Sequence, residues 1–462
     1  MSCITHFLND PSLVCGAEQL SGELRSNTPL QASTEFLYGL EKFGIKMDLD
    51  NIRALMEFSG NPERRLKVVH VAGTNGKGST CAAVASVLMA QGNKVGLYTS
   101  PHLVSFTERF KINGREISGE EIAALTAYFH EEIVRLRATF FEATTAIMFK
   151  YFADSGVDFA VIETGLGGRL DATNVVDPLV SIVTGIGLDH MDILGDTLEK
   201  IAFEKAGIMK PGRPAVVNVS PDSLKRVFSS AALKTGSDVI FINEVVSARD
   251  REVGIDSSFF DATIFGEEFD SLRIDLGGKH QIKNALTALT ALQVLKREGM
   301  RIERQAMYDG LAKIRINTGH RGRLEVLSRK PLIILDVAHN PEGVKALVDG
   351  LAPLADIKGG TLLFAVMRDK DAVSMLDYLR QRFSRIILTQ LQTGRSLGVA
   401  ELKKLSNGIK LEAQVFENST EAFRAAINLT DNDSFLLITG SHYLAGEVLP
   451  VVDKSVINFE SL

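Results

Sequence analysis

The sequence predicts an α/β protein of two domains: an N-terminal phosphate-loop ATPase-type domain with a mainly parallel sheet, and a smaller Rossmann-like C-terminal domain. Three observations predict it. Apolar strand-like runs alternate with helical patterns almost throughout the 462 residues. One such run ends in a Gly- and Lys-rich turn that opens a helix. The alternation then starts afresh after the polar stretch NTGHRG at 317–322, which divides the chain into 1–318 and 321–462.

The first thirty residues are polar and rich in Ser and Asn, and no element is assigned to them. Residues 31–43 and 48–59 have amphipathic helical spacing, the second opened by an Asp48 cap. LKVVHVA at 66–72 reads as a buried strand, followed by a Gly-rich turn and a small-residue helix from Thr80 to about Ala90. Lys94 to Thr99 is a second strand. Ser118, with Glu121 three residues on, is a capping-box signature for a helix reaching about Arg137. Residues 142–155 read as helix, and DFAVIE at 158–163 as a buried strand ending in a second Gly-rich turn. Strands at 179–184 and 214–219 flank a helix near 196–207. From 245 to 277, acidic turns and alternating apolar positions predict a small antiparallel excursion. Helical patterns return at 280–297 and 303–314. Beyond the linker, strands are expected at 332–337, 361–366, 385–390 and 434–439, with helices between them.

Composition excludes several classes. Hydrophobic residues make up 45% and charged residues 23%, enough to bury a core and far from a disordered chain. Acidic residues number 57 against 51 basic ones, a net charge of −6, which argues against a nucleic-acid partner. Cys3, Cys15 and Cys81 are too few and too scattered for a disulfide framework or a zinc site. No apolar run reaches the roughly 18 residues of a membrane span, and no basic-then-apolar leader opens the chain. A cytoplasmic protein without a membrane partner, acting as a monomer, is expected.

The turn after the first buried strand, GTNGKGS at 73–79, carries the chemistry. Backbone N–H groups of such a turn, the helix N-terminus behind it and one Lys together cradle phosphate. An ordinary strand-to-helix turn also holds one or two glycines, but not this density of Gly and Lys in this context. The loop departs from the commonest pattern. Val71 stands where a Gly is usual, and Gly78 where Ser or Thr follows the Lys, so a magnesium-reaching hydroxyl shifts to Ser79 or comes from elsewhere.

The same string resembles the ATP loop of the Mur ligase superfamily, in particular its folylpolyglutamate synthase and dihydrofolate synthase branch. Further blocks agree in order: TSPHL at 99–103, FFEATTA at 140–146, ETGLGGRLDATN at 163–174 and GLDHMDILGDTLEKIAFEKAGI at 187–208. GR at 322–323, DVAHN at 336–340 and TGSHYLAGE at 439–447 follow. About seventy residues precede the loop, too few for the separate UDP-binding domain of the peptidoglycan-type ligases. That favours a pterin or folate substrate.

The resemblance implies ATP as co-substrate and two Mg²⁺ ions. It places Asn75, Gly76, Lys77 and Gly78 on the phosphates, and Asn284, Arg323 and Asp336 on the rest of the nucleotide. Ser100, Glu163 and His190 are the implied metal ligands; an oxygen-rich, partly hydrated site suits Mg²⁺, and nitrogen is not its first choice. Lys205 resembles a lysine that becomes N6-carboxylated, which requires a neutral amine and hence desolvation. By its residue type alone, Lys205 reads as one more helix-surface lysine. Thr139, Phe140, Phe141 and Glu142, with Leu170, Asp171 and Ala172, are implied for the pterin; two aromatic faces suit a planar ring, and equally a core pair at a helix start. The family shows an apolar residue where His442 stands.

The implied activity is an ATP-dependent ligase that adds L-glutamate to dihydropteroate or to the γ-carboxyl of folate through an acyl phosphate. Lys77, Lys205 and His190 are its implied catalytic groups, and no covalent nucleophile is needed. Two rivals remain: a Mur-type ligase with another acidic acceptor, and a non-catalytic ATP-binding protein on the same scaffold.

Overall fold

The computed structural model describes residues 28–357 and 359–459, with side chains as far as Val452. Most of the unassigned first thirty residues, with Cys3 and Cys15, lie outside the described residues. Strands β1 (Val68–Ala72), β2 (Val95–Tyr98), β3 (Phe110–Ile112), β4 (Arg115–Glu116), β5 (Phe159–Glu163), β6 (Val180–Val183), β7 (Ala215–Val217) and β8 (Val239–Phe241) form one sheet. Its order is β4-β3-β2-β5-β1-β6-β7-β8. The stretch from β2 to β8 is parallel, and β3 and β4 add an antiparallel edge. Pairing of Val71 with Glu163 puts the carboxyl end of β5 beside the loop that follows β1. That is where open α/β sheets gather ligands.

Strand alternation divides the core. Val69, Val71 and Val161 face the helix that follows the Gly-rich loop, while Val68, Ala160 and Ile162 face Phe149 and Phe152 on the opposite side. Helices α1 (Pro29–Tyr38), α2 (Asp50–Phe58), α3 (Lys77–Ala90), α4 (Gly119–Leu136), α5 (Phe140–Asp154), α6 (Met191–Leu194) and α7 (Leu198–Ala206) cover the sheet. Residues 78–88 of α3 are all buried. Small side chains (Gly78, Ala82, Ala83, Ala85) let helices Lys279–Arg297 and Arg304–Leu311 approach α3 from the far side.

The excursion at 245–277 is a three-stranded antiparallel sheet of β9 (Val246–Val253), β10 (Ser258–Ile264) and β11 (Glu267–Ile274). The C-terminal sheet contains β12 (Glu325–Arg329), β13 (Leu332–Leu335), β14 (Gly360–Phe364), β15 (Phe383–Thr389), β16 (Gln414–Phe416) and β17 (Phe435–Thr439). Its order is β12-β13-β17-β14-β15-β16, with β12 antiparallel to β13 and the rest parallel.

Several details differ from the sequence reading. Leu49, not Asp48, is the N-cap of α2; Asp48 instead accepts from the Asp50 N–H at 3.1 Å. Helix α3 begins at Lys77, three residues before Thr80, because the phosphate loop itself forms its first turn. The β3–β4 hairpin was not assigned, although Asn113-Gly114 supplies it: both take positive φ (49° and 75°) in the two-residue turn such hairpins favour. The segment after 318 is not a loose tether. Lys111 donates to the carbonyls of Thr318 and Gly319 at 3.1 and 3.2 Å, and Arg315 to those of Arg323 and Leu324 at 2.9 and 3.2 Å.

Candidate active site

The phosphate loop faces a cavity of about 830 Å³ between the two sheets. Gly76 caps α3 at φ 88° with no side-chain bond, so the first N–H groups of the helix point at open space. The loop needs its glycines. A Cβ on Gly76 would lie 2.4 Å from Asn284 Oδ1, and one on Gly73 would lie 1.7 Å from Thr184 Oγ1. Lys77 Nζ reaches the Thr74 carbonyl at 3.3 Å and lies 3.9 Å from Glu163 Oε1. Ser79, the displaced hydroxyl, is buried and bonded to His320 Nε2 at 3.1 Å, which turns it toward the linker.

Glu163 ends β5 and is 4% exposed. Burial raises its pKa, and Lys77, the Ser100 N–H at 3.1 Å, Arg323 and Arg109 oppose the rise. A buried carboxylate so placed suits a cation. Ser100 and His190 line the same cavity. His190 sits at φ 50° as the cap of α6, with its side chain 41% exposed. Among the described residues no three His, Cys, Asp or Glu side chains form a metal cage by themselves. The buried carboxylate of Glu163 with the hydroxyl of Ser100 is an oxygen donor pair of the kind Mg²⁺ uses, its shell being completed by water and phosphate.

Lys205, on α7, is 4% exposed and donates to the Gly73 carbonyl at 2.8 Å. Burial, reinforced by Lys77, lowers its pKa to about 7, while Asp189 and Asp171 oppose. A helix-surface lysine would not be so placed. Desolvation favours the neutral amine, and a carbamate nitrogen would retain an N–H for Gly73.

The second domain closes the cavity through groups that sequence reasoning did not single out. Asn340 caps its helix by accepting from the Gly343 N–H at 2.8 Å, and exchanges bonds with Asn75 at 3.1 and 3.3 Å. Asn340 also donates to Asp189 at 3.2 Å, and Lys370 donates to Asp189 at 2.6 Å. Burial would raise the Asp189 pKa, but His190, Lys370 and His339 outweigh it and hold the carboxyl well below its usual range. The run of charge at 368–371, just past the carboxyl end of β14, was the available signal. Gly187 lies against the end of the Glu342 side chain, where a Cβ would come 1.9 Å from Oε2.

Of the implied nucleotide residues, Asn284, Arg323 and Asp336 all line the cavity. Asp336 is buried, and both its oxygens already accept backbone N–H groups, from Leu324 at 2.9 Å and Ala338 at 2.8 Å. The implied pterin residues are not among those lining the large cavity. Thr139 and Glu142 form the capping box of α5, with bonds of 2.7 and 3.2 Å. Asp171 accepts from Leu166 and Thr173, and Ala172 is core. Phe140 and Phe141 remain partly exposed. Phe140 stacks on Tyr38 (centroids 5.5 Å, 10° between planes) beneath Arg109, and Phe141 fills the space a side chain on Gly165 would need.

A phosphate loop held against a second α/β domain across one cavity defines the class as a Mur ligase. The model of the Mur ligase middle domain matches residues 71–292, and that of the Mur ligase glutamate ligase domain matches 322–442. The dihydrofolate synthase/folylpolyglutamate synthase of Bacillus subtilis is 33% identical over 430 residues, covering 91% of this chain and 98% of that one. The solved folylpolyglutamate synthase of Mycobacterium tuberculosis, complexed with ADP and AMPPCP, superposes with a TM-score of 0.84 at 30% identity over 92% of this chain and 99% of that one. Escherichia coli FolC in complex with DHPP and ADP gives 0.80 at 30% identity over 92% and 98%. The chain belongs to the dihydrofolate synthase/folylpolyglutamate synthase family. Among the described residues no helix is long and apolar enough to cross a membrane.

Proposed function

We propose that this protein joins L-glutamate to the carboxyl group of dihydropteroate, and to the γ-carboxyl of a reduced folate, at the expense of ATP. The observation that carries the reading is the buried, neutralised Lys205 amine beside a phosphate loop, facing a glutamate-ligase domain across one cavity. The α3 N-terminus and the backbone of 75–78 receive the triphosphate, and Lys77 exchanges its Thr74 contact for a phosphate oxygen. Arg323 approaches from the linker side. The γ-phosphate then passes to the acceptor carboxylate, and the amine of glutamate displaces phosphate from the acyl group. Preorganised positive charge at the transferring group lowers this barrier. Mg²⁺, held by Glu163 with Ser100 and His190 and by a Lys205 carbamate, would neutralise phosphate charge when bound.

Phe140 and Phe141, with Tyr38, offer the pterin its aromatic surface, while Thr139, Glu142, Leu170, Asp171 and Ala172 shape that surface from behind. Glutamate-dependent ADP release with dihydropteroate and with a monoglutamyl reduced folate tests the reading. Release with both is expected; release only with a UDP-linked acceptor would replace it with the Mur-type alternative. The reaction needs one chain, and a monomer in the cytoplasm is the working expectation.

A further inference from the structure

His442 opens the last helix at the wall of the cavity. Strand β17 ends at Thr439, and the chain turns through Gly440 at φ 106° before entering its last helix at His442. A Cβ on Gly440 would meet the Ala365 carbonyl at 2.3 Å, so the turn is fixed against the neighbouring strand end. A second, small cavity of about 60 Å³ lies behind the phosphate loop. The residues lining both cavities are Gly78, Ser100, Pro101, Glu163, Arg323 and His442. Phosphate, metal and nucleotide roles are already assigned to most of that set. The remaining side chain with acid–base chemistry is His442.

Its imidazole has no polar partner among the described residues. The ring of His339 packs against it at 4.8 Å between centroids, tilted by 54°. His339 Nδ1 lies 3.0 Å from the Val337 carbonyl, which can only accept, so that nitrogen carries the proton. His339, Arg323, Lys77 and Lys370 act on His442 electrostatically, and the carboxylate of Glu163 lines both cavities with it. Burial first, then this positive surround, keeps the imidazole neutral with a free lone pair. Phosphate bound at Lys77 and Arg323 would cancel much of that field at the stage when an amine attacks.

We propose that His442 is a further catalytic residue, whose imidazole accepts the proton of the incoming amino acid's amine as the amide forms. The inference rests on the amide-ligase reading above. In this step the amine nitrogen bonds to the acyl carbon, and the carbon–oxygen bond to phosphate breaks with its electron pair leaving on phosphate. One proton of the ammonium group passes to His442 and from there to the water of the cavity, which frees the nitrogen lone pair for attack. The second N–H proton, lost as the amide forms, leaves on the departing phosphate.

The test compares two nucleophiles on one acyl phosphate. Glutamate attacks through an amine that must lose a proton, whereas hydroxylamine is neutral at pH 7. H442L should lower kcat for glutamate ligation by at least about tenfold, yet form hydroxamate from hydroxylamine within about twofold of wild type. H442Q, which can accept a hydrogen bond but not a proton, should keep the wild-type KM for glutamate and share the lowered kcat. Equal loss with both nucleophiles, unchanged glutamate ligation, or a raised KM at unchanged kcat in H442Q would each overturn the proposal. A wild-type enzyme inactive with both nucleophiles would overturn the ligase reading instead.

Discussion

Lys370 Nζ lies 2.6 Å from Asp189 Oδ1, so a lysine of the C-terminal domain is paired with the residue that precedes His190 in the N-terminal one. Both side chains are 10% exposed. Asn340 joins the same carboxylate and also Asn75 of the phosphate loop. These contacts tie the C-terminal domain directly to the phosphate loop. Removing one member of a largely buried pair leaves the other charge uncompensated, which costs more than the pair contributes. Lys370→Ala should lower kcat about tenfold or more while ATP affinity measured without acceptor changes little. Titration of ATP by fluorescence beside steady-state kinetics checks this, and an equal loss in both would mean Lys370 is a nucleotide contact.

Arg323 lines the cavity from the pinned segment after 318, and among the described residues its guanidinium donates to its own neighbour, the Gly322 carbonyl. Its guanidinium is free to meet phosphate once both domains are seated. Arg323→Ala should lower kcat more than it weakens nucleotide binding in the absence of the second substrate. Proportional losses would reduce it to a ground-state contact.

Asp336 holds two backbone N–H groups at the start of the second domain. Asp336→Ala leaves both buried donors unpaired, at a cost on the order of 2 kcal/mol or more. The urea midpoint should fall accordingly. An unchanged midpoint with lost ATP affinity would instead give Asp336 to the ribose.

Lys205 should act as a carbamate. Carbamates form on neutral amines, and the fraction of neutral amine rises as pH climbs through about 7. After CO₂ depletion, bicarbonate should therefore restore activity above that pH and fail well below it. Lys205→Ala should nearly abolish turnover, with partial rescue by acetate and none by alkylamines. Rescue by amines alone would leave Lys205 as an ordinary cationic side chain.

What the sequence disclosed depended on how local the signal was. The phosphate loop is legible because strand, glycines, Lys77 and helix lie within twenty residues. Ser118 and Glu121 are legible for the same reason, and the structure gives them the predicted capping box. Thr139 and Glu142 carry the identical spacing, and the structure gives them a capping box as well. The pairing of Asp189 with Lys370 spans 181 positions. The run of charge at 368–371 marks a site, but no local pattern pairs it with Asp189, because the two meet only across the two sheets. The buried state of Lys205 is likewise a tertiary property: its amine meets the Gly73 carbonyl, 132 positions away, and its backbone packs against Gly168, which no window of sequence joins.

The central claim is that ATP activates a pterin carboxyl group as an acyl phosphate at this phosphate loop. Dihydropteroate labelled with ¹⁸O in its carboxylate tests it most directly. During glutamate-dependent turnover, one labelled oxygen per amide formed should appear in inorganic phosphate, and the same should hold for a folate labelled in its γ-carboxyl. Phosphate released without label, or ADP formed at a rate indifferent to the acceptor, would contradict the account.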